Sequence, residues 1–229
     1  KKTKDCSTER KISLYGDLNY WWVMNDKGNI HTETGADPIG MEIRAQAFAF
    51  ASNDEVNNMT FYNYELINRG TQTLYNTYFG FFTDGALGDP YDDYVGCDVN
   101  RGLGYYYNGD NYDGDNSGFK GYGNSPPAVG VDFFEGPYQD NDGVDNAYGI
   151  WDNEALNGIG FGDGVVDNER FGMRRFLYYS NTTNGANPNQ TDPVNAGDYY
   201  NYLRGFWKDG TKFVYGGSGH ISDPEADPN

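Results

Sequence analysis

Apolar and polar residues alternate in short runs along this chain, and Gly, Asn, Asp and Pro separate the runs. The alternation is clearest over residues 41–50. One face of that segment would carry Met41, Ile43, Ala45, Ala47 and Ala49, and the other Glu42, Arg44, Gln46, Phe48 and Phe50. A period of two residues is typical of a β-strand, so this segment is predicted to be one.

Six further segments have a similar character and are predicted as strands: 12–23, 61–67, 105–107, 128–134, 168–179 and 212–215. The turn residues 68–70 lie between 61–67 and another apolar run at 74–82, and this arrangement predicts a β-hairpin.

One helix is predicted, over residues 198–207. Asp198 can cap it, and the apolar residues that follow have helical spacing: Tyr199, Tyr202, Leu203 and Phe206. Gly205 weakens the pattern, and the adjacent Tyr199 and Tyr200 would also suit a strand.

These elements predict an all-β fold, a jelly-roll-like β-sandwich with long acidic Gly/Asn/Asp loops and at most one or two short helices. A chain of 229 residues suits a single sandwich domain, predicted over residues 1–221. Residues 222–229 are acidic and contain proline, and they are predicted to be a linker or tail to a missing C-terminal part. The longest predicted loops are 108–127 and 135–162, and long loops on a rigid scaffold commonly carry function.

Composition narrows the classes of protein. Aromatic residues make up 17% of the chain, enough to build a core despite a mean hydropathy of -0.79. A net charge of -18 argues against nucleic-acid binding. No apolar run reaches the length of about 18 residues that a membrane-spanning helix needs, so no membrane insertion is expected.

The two cysteines, Cys6 and Cys97, could form a disulfide in an oxidising compartment or stay reduced thiols elsewhere. His31 and His220 are the only histidines, so a histidine-based zinc site is not expected.

Acidic residues cluster around glycines in several loops, a pattern that suits a hard cation with oxygen ligands such as Ca2+. The pattern does not match an EF-hand, because Trp151 occupies the twelfth place counted from Asp140. The alternative is that these acids form Asx-turns with their own backbone. The candidate ligands are Asp140, Asp142, Asp145, Asp163, Asp167, Glu169, Asp84, Asp89, Asp92 and Asp93.

A catalytic interpretation is weaker. A carboxyl in a crowded acidic cluster can act as a general acid, and glycoside hydrolysis needs two carboxyls in a cleft. The chain offers too many carboxyls to single out a pair, and it has no nucleophile motif, so no catalytic residue is assigned. Its Tyr and Trp clusters could stack on sugars or fill the core.

Five strings have a distinctive combination of residues: PIGMEIRAQAFAF (38–50), DEVNNMTFYNYELIN (54–68), DDYVGCD (92–98), PPAVGVDFF (126–134) and YYNYLRGFWKDG (199–210). Together they resemble a group of large secreted surface proteins of Bacteroidetes, which typically carry a C-terminal sorting domain of type IX secretion. The resemblance covers residues 38–217. It implies export, an extracellular or cell-surface location and contact with the secretion machinery during export, but no established activity.

The expected function is therefore a non-enzymatic, calcium-stabilised surface module for adhesion, binding a glycan or a surface protein, within a larger exported protein. The alternatives are a secreted hydrolase acting on polysaccharide, and a structural segment of a surface or secretion assembly.

Overall fold

The computed structural model describes residues 13–149, 157–180 and 187–227. Antiparallel strands supply most of the regular structure in these residues, and they contain one short α-helix. The prediction of a predominantly β fold is confirmed at this level, while the sandwich stays a prediction. The chain forms two compact units, residues 1–77 and 78–229.

The elements follow one another along the chain with these bounds: β1 Leu18–Asn25, β2 Met41–Ala49, β3 Thr60–Asn68, β4 Asp93–Asp98, β5 Leu103–Asn108, β6 Tyr112–Asp113, β7 Gly123–Asn124, β8 Ala128–Asp132 and α1 Ala196–Leu203. Short 3-10 helices lie at Glu55–Asn58, Val99–Arg101 and Pro188–Gln190.

The first unit is built on a three-stranded antiparallel sheet with β2 in the centre. The strand predicted over 41–50 is confirmed as β2. Ala45 at its middle is almost completely buried. The carboxylate of Asp26 closes the β1–β2 connection by accepting hydrogen bonds from the amides of Ile39, Gly40 and Met41.

The polar face of β2 is held by ion pairs and by ring stacking. Arg44 pairs with Glu42 at 2.8 Å and with Glu65 on β3 at 2.9 Å. A hydrogen bond from Arg69 holds the pKa of the Glu42 carboxyl below its usual value, against a smaller opposing effect of desolvation. Farther along the same face, Phe48 stacks on Phe61 with 5.4 Å between ring centroids.

The predicted hairpin between 61–67 and 74–82 is wrong. The partner of β3 is β2, and residues 74–82 form no strand. The boundary between the two units falls inside 74–82, at Thr77. The aromatic residues beyond it pack by their rings, as Tyr78 does against Tyr200 at 5.7 Å. The strand predicted over 12–23 begins at Leu18, and residue 12 lies outside the described residues.

The second unit contains a three-stranded antiparallel sheet in the order β4–β5–β8, and the small β6–β7 ladder. The strand predicted over 105–107 is confirmed within β5, and the one predicted over 128–134 is confirmed as β8, which ends at Asp132. Gly102, with a φ of 69°, ends the turn between β4 and β5 in the left-handed conformation that glycine adopts without strain. Asp93 and Asn108 pair at the opposite, open end of this hairpin.

The predicted helix exists but is shifted. Asn195 caps α1 by accepting a hydrogen bond from the amide of Asp198, and the Asp198 carboxylate accepts one from the amide of Val194. The helix ends before Gly205, whose φ is 76°. Trp207 therefore lies beyond the helix, completely buried.

Two other predicted strands are wrong. Residues 168–179 and 212–215 form only isolated bridges, such as Tyr138 with Arg170 and Tyr215 with Asp227. The latter bridge ties part of the predicted tail back to the unit, since the amide of Asp227 donates to the Tyr215 carbonyl. Cys97 has a free thiol on β4, and its suggested partner Cys6 lies outside the described residues.

Candidate functional site

Two acidic loops that are distant in sequence meet in the second unit. They carry what we call the paired-loop cluster: Asp140, Asp142, Asp145, Asp163, Asp167 and Glu169. Asp145 accepts hydrogen bonds from the amides of Gly162 and Gly164, both at 2.7 Å. In the opposite direction, Asp167 accepts one from the amide of Gly143 at 2.8 Å. The structure therefore brings these six predicted residues onto two adjoining loops.

Several of these carboxylates already have local backbone partners. Asp142 accepts the amide of Val144, and Asp163 accepts that of Val165. These are Asx-turns, as the alternative prediction held. Asp167 itself has a φ of 59°, a left-handed conformation that Asp tolerates better than most residues. In Asp142 and Asp163, the turn therefore uses one carboxylate oxygen of each residue.

Glu169 is different, because it is almost completely buried, with 1% of its surface exposed. Its Oε1 accepts the amide of Asn146 at 2.5 Å, but its Oε2 is buried without a hydrogen-bond partner. The neighbouring Arg170 is directed elsewhere, to Glu135 at 3.4 Å and over the ring of Tyr138. A buried carboxylate oxygen without a partner is costly, so this position calls for a positive charge or a donor.

Three amide oxygens on the same two loops share this property. They are buried acceptors without a partner: Gln139 Oε1, Asn146 Oδ1 and Asn168 Oδ1. The sequence-based prediction missed them because it considered only carboxylates. Side-chain amide oxygens are ordinary calcium ligands, so the Gln and Asn residues beside the acids were the signal that could have found them.

The pKa of the Asp140 carboxyl reports the charge in this cluster. Desolvation raises it above its usual value, and the charges of Asp142, Glu169 and Asp167 raise it further. Asp140 therefore lies within reach of the charges of these three acids.

A second acidic group lies at the open end of the β4–β5 hairpin. We call it the hairpin-end cluster: Asp89, Asp92, Asp93, Asn108 and Asp113. Asp113 is buried and accepts the amides of Asp89 and Tyr122. Asp89 accepts the Tyr91 amide and the side-chain amide of Asn116. Asp84, also predicted as a ligand, is exposed, and the hydrogen bonds of the cluster begin at Leu87, which donates to Asp93.

Within the described residues, no three His, Cys, Asp or Glu side chains are arranged to hold a metal ion. The backbone hydrogen bonds described above occupy many of the carboxylate oxygens in both clusters. Any ion held here would therefore need amide as well as carboxylate oxygens.

An aromatic surface covers one face of the first unit's sheet. In register, Tyr20 of β1, Ala47 of β2 and Tyr62 of β3 lie side by side, and Tyr64 follows on β3. Tyr20 is 62% exposed and Tyr62 is 50% exposed. The rings of Tyr62 and Tyr64 are nearly parallel, with centroids 6.5 Å apart. We call Tyr20, Tyr62 and Tyr64 the aromatic face.

Four tyrosines of the second unit lie in or beside the predicted long loops and could present rings to a ligand: Tyr106, Tyr112, Tyr122 and Tyr138. Tyr112, Tyr122 and Tyr138 are exposed. Tyr106 instead packs against Gly85, where an added Cβ would approach its ring to 2.1 Å. Arg170 covers the ring of Tyr138 at 3.9 Å, which leaves Tyr112 and Tyr122 as the open rings of this set.

His220 lies between an acid and a hydroxyl. Its Nε2 is 2.9 Å from Asp209, and its Nδ1 is 2.7 Å from the Ser222 hydroxyl. The backbone amide of Ser222 also donates to Nδ1, at 3.1 Å. That hydrogen bond uses the lone pair that a general base would need, so the geometry fits a structural clamp on the turn better than an activated serine.

Among the described residues, no helix combines the length and apolar character needed to cross a membrane. Comparison with known proteins gives no further assignment: no protein-family model, curated protein or solved structure matches this chain.

Proposed function

We propose that this chain is a secreted or cell-surface, calcium-stabilised β-sandwich module for adhesion, binding a glycan or a partner protein, within a larger exported protein. The observation that carries the calcium part is Glu169, a buried carboxylate with an unpartnered oxygen, on loops that also hold three unpartnered amide oxygens. The export part rests on the resemblance described above.

The chemistry of these oxygens favours calcium over other cations. Ca2+ accepts six to eight oxygen ligands in flexible geometry, including carboxylates, amide oxygens and backbone carbonyls. Mg2+ demands a near-ideal octahedron and dehydrates reluctantly, and Zn2+ prefers nitrogen and sulfur. An ion held by Glu169 and Asp140 would offset the desolvation and the neighbouring negative charges that raise the pKa of Asp140. It would also lock the two acidic loops together.

Glycan binding is supported by the aromatic face. A tyrosine ring offers a flat apolar surface with a polar hydroxyl at its edge, which matches the apolar faces and hydroxyl rims of sugar rings. Exposed aromatic rings grouped on one sheet face are unusual as packing elements and common in recognition surfaces.

A glycan-array screen of the wild type, in calcium, tests the ligand. The double variant Tyr20→Ala/Tyr62→Ala should lose binding, whereas Tyr215→Ala, which removes an 83% exposed ring in the other unit, should retain it. Equal binding by all three proteins would show that the aromatic face is not the glycan-binding surface. No binding by the wild type to any glycan would favour the structural-segment alternative, and hydrolysis of a glycan would favour the hydrolase.

A further inference from the structure

We propose a second divalent-cation site, for Ca2+, at the open end of the β4–β5 hairpin, with Asp92, Asp93 and Asn108 as its ligands. This site goes beyond the proposed function, because none of its residues belongs to the paired-loop cluster. Asn108 was not among the residues predicted from the sequence.

The backbone brings the three residues together. Asp93 and Asn108 are register partners, at the first residue of β4 and the last residue of β5. Paired residues in an antiparallel sheet have Cα atoms about 4.5–5.5 Å apart, so the side-chain oxygens of Asp93 and Asn108 can share one ion. Asp92 directly precedes β4, its carbonyl accepts the amide of Gly109 at 2.8 Å, and its charge acts on the Asp93 carboxyl.

Each of the three side chains carries a buried oxygen without a partner: Asp92 Oδ1, Asp93 Oδ1 and Asn108 Oδ1. Asn108 is the decisive one, because only 7% of its surface is exposed. Its amide nitrogen donates to the carbonyl of Asp110, which leaves its oxygen as the group in need of a partner. Buried side-chain oxygens normally have partners, so three orphans at one hairpin end need an explanation.

The surroundings add negative charge and no compensating cation. Asp89 and Asp113, both buried, already accept backbone amides. None of the ion pairs in the described part of the chain brings a Lys or Arg to this cluster.

The pKa directions agree with this picture. Desolvation raises the pKa of the Asp92 carboxyl, and the charges of Asp89, Asp113 and Asp110 raise it further. Desolvation likewise raises that of Asp93, which the Asp92 charge raises again and the hydrogen bond from Leu87 partly offsets. A divalent cation would reverse these effects, because it favours the charged form of both carboxyls.

The site has a structural consequence for the segment that follows β5. Asn108 holds the carbonyl of Asp110, and Asp113 on β6 holds the amides of Asp89 and Tyr122. An ion at Asp92, Asp93 and Asn108 would therefore fix the start of the segment that presents the exposed rings of Tyr112 and Tyr122.

The test is calcium titration calorimetry with thermal unfolding on the full chain, comparing the wild type, Asp93→Asn and the control Asp115→Asn. Asp115 lies near the cluster, but its carboxylate pairs with Lys120 at 2.7 Å. Asp93→Asn should bind one ion fewer, or bind it at least tenfold more weakly. In the presence of chelator, its melting temperature should be no lower than that of the wild type, because the substitution removes one negative charge from a crowded acidic cluster. On addition of calcium, its melting temperature should rise less than that of the wild type. Asp115→Asn should behave as the wild type.

Two results would overturn the proposal: undiminished ion binding by Asp93→Asn, or an equal loss of melting temperature with and without calcium. A second measurement uses the wild type alone and therefore does not depend on whether the variant folds. In wild-type NMR spectra, calcium should shift the side-chain amide signals of Asn108, and unchanged signals would refute the site. The Glu169→Gln variant separates the two sites, since it should still bind the ion at Asp93.

Discussion

Replacing Glu169 with Gln keeps the size of the side chain and removes one buried negative charge. The predicted effect depends on calcium. In chelator, the variant should be as stable as the wild type or more stable, by about 1–3 kcal/mol, because the penalty for a buried, unpartnered charged oxygen disappears. In calcium, it should lose the stabilisation that ion binding gives the wild type.

The size of that stabilisation follows from mass action. An ion that binds only the folded chain adds about 2.7 kcal/mol at a hundredfold excess over its Kd. For a chain of this length each kcal/mol corresponds to roughly 2–4 °C, so the rise in Tm on calcium addition should be about 5–11 °C in the wild type and much smaller in Glu169→Gln. Magnesium should substitute poorly.

Differential scanning calorimetry in calcium and in chelator measures these shifts. Glu135→Gln is the matched control, because Glu135 pairs with Arg170 at 3.4 Å at the edge of the same region and is half exposed. The control should keep the full calcium response. If Glu169→Gln is destabilised by the same amount in both buffers, Glu169 is a packing residue and not a calcium ligand.

Three further predictions follow from the second unit. Trp207→Ala should lower the free energy of unfolding by about 3–5 kcal/mol in urea titrations, because a completely buried indole is removed; a loss below 1 kcal/mol would contradict its place in the core. Because the pKa of the Asp93 carboxyl is raised in the folded chain, the folded chain binds this proton more tightly than the unfolded chain does. In the presence of chelator, Asp93→Asn should therefore exceed the wild type in free energy of unfolding most at neutral pH, and this difference should vanish as the pH falls towards about 4. A difference that stays constant between pH 7 and 4 would refute this. Ser222→Ala should leave stability within about 0.5 kcal/mol, whereas His220→Ala should lower it by about 1–3 kcal/mol, because it opens a buried contact and removes the imidazole that contacts the Asp209 carboxylate; ester hydrolysis that depends on Ser222 would contradict a purely structural role for His220.

The sequence predicted strands where alternation coincided with ladder pairing. Residues 41–49 form the central strand because their backbone pairs with β1 on one side and with β3 on the other. Residues 74–82 have similar apolar character but form no strand. An apolar pattern shows which side chains can be buried, but it does not show whether the backbone finds a partner strand. Their rings pack on other aromatic residues, as Phe82 does on Tyr179 at 6.0 Å.

The helix shows the limit of local capping rules. Asp198 was the predicted cap, but Asn195 caps the helix while Asp198 binds back to Val194. Both are good capping residues, and the sequence gives no means of choosing between positions three residues apart.

The candidate sites were predictable only in part. Asp and Gly spacing identified the acidic loops, yet no local pattern shows that Asp145 reaches Gly162 or that Asp113 reaches Asp89. These pairings depend on tertiary structure. Asn108 was invisible for the same reason, because its importance comes from its register with Asp93 and from its burial.

Calcium binding by the folded chain can be measured by equilibrium dialysis, after bound ions have been removed with chelator. We expect saturable binding of two ions per chain, one at the paired-loop cluster and one at the hairpin-end cluster, with magnesium competing weakly. A chain that binds no calcium at millimolar concentration, while remaining folded, would contradict it.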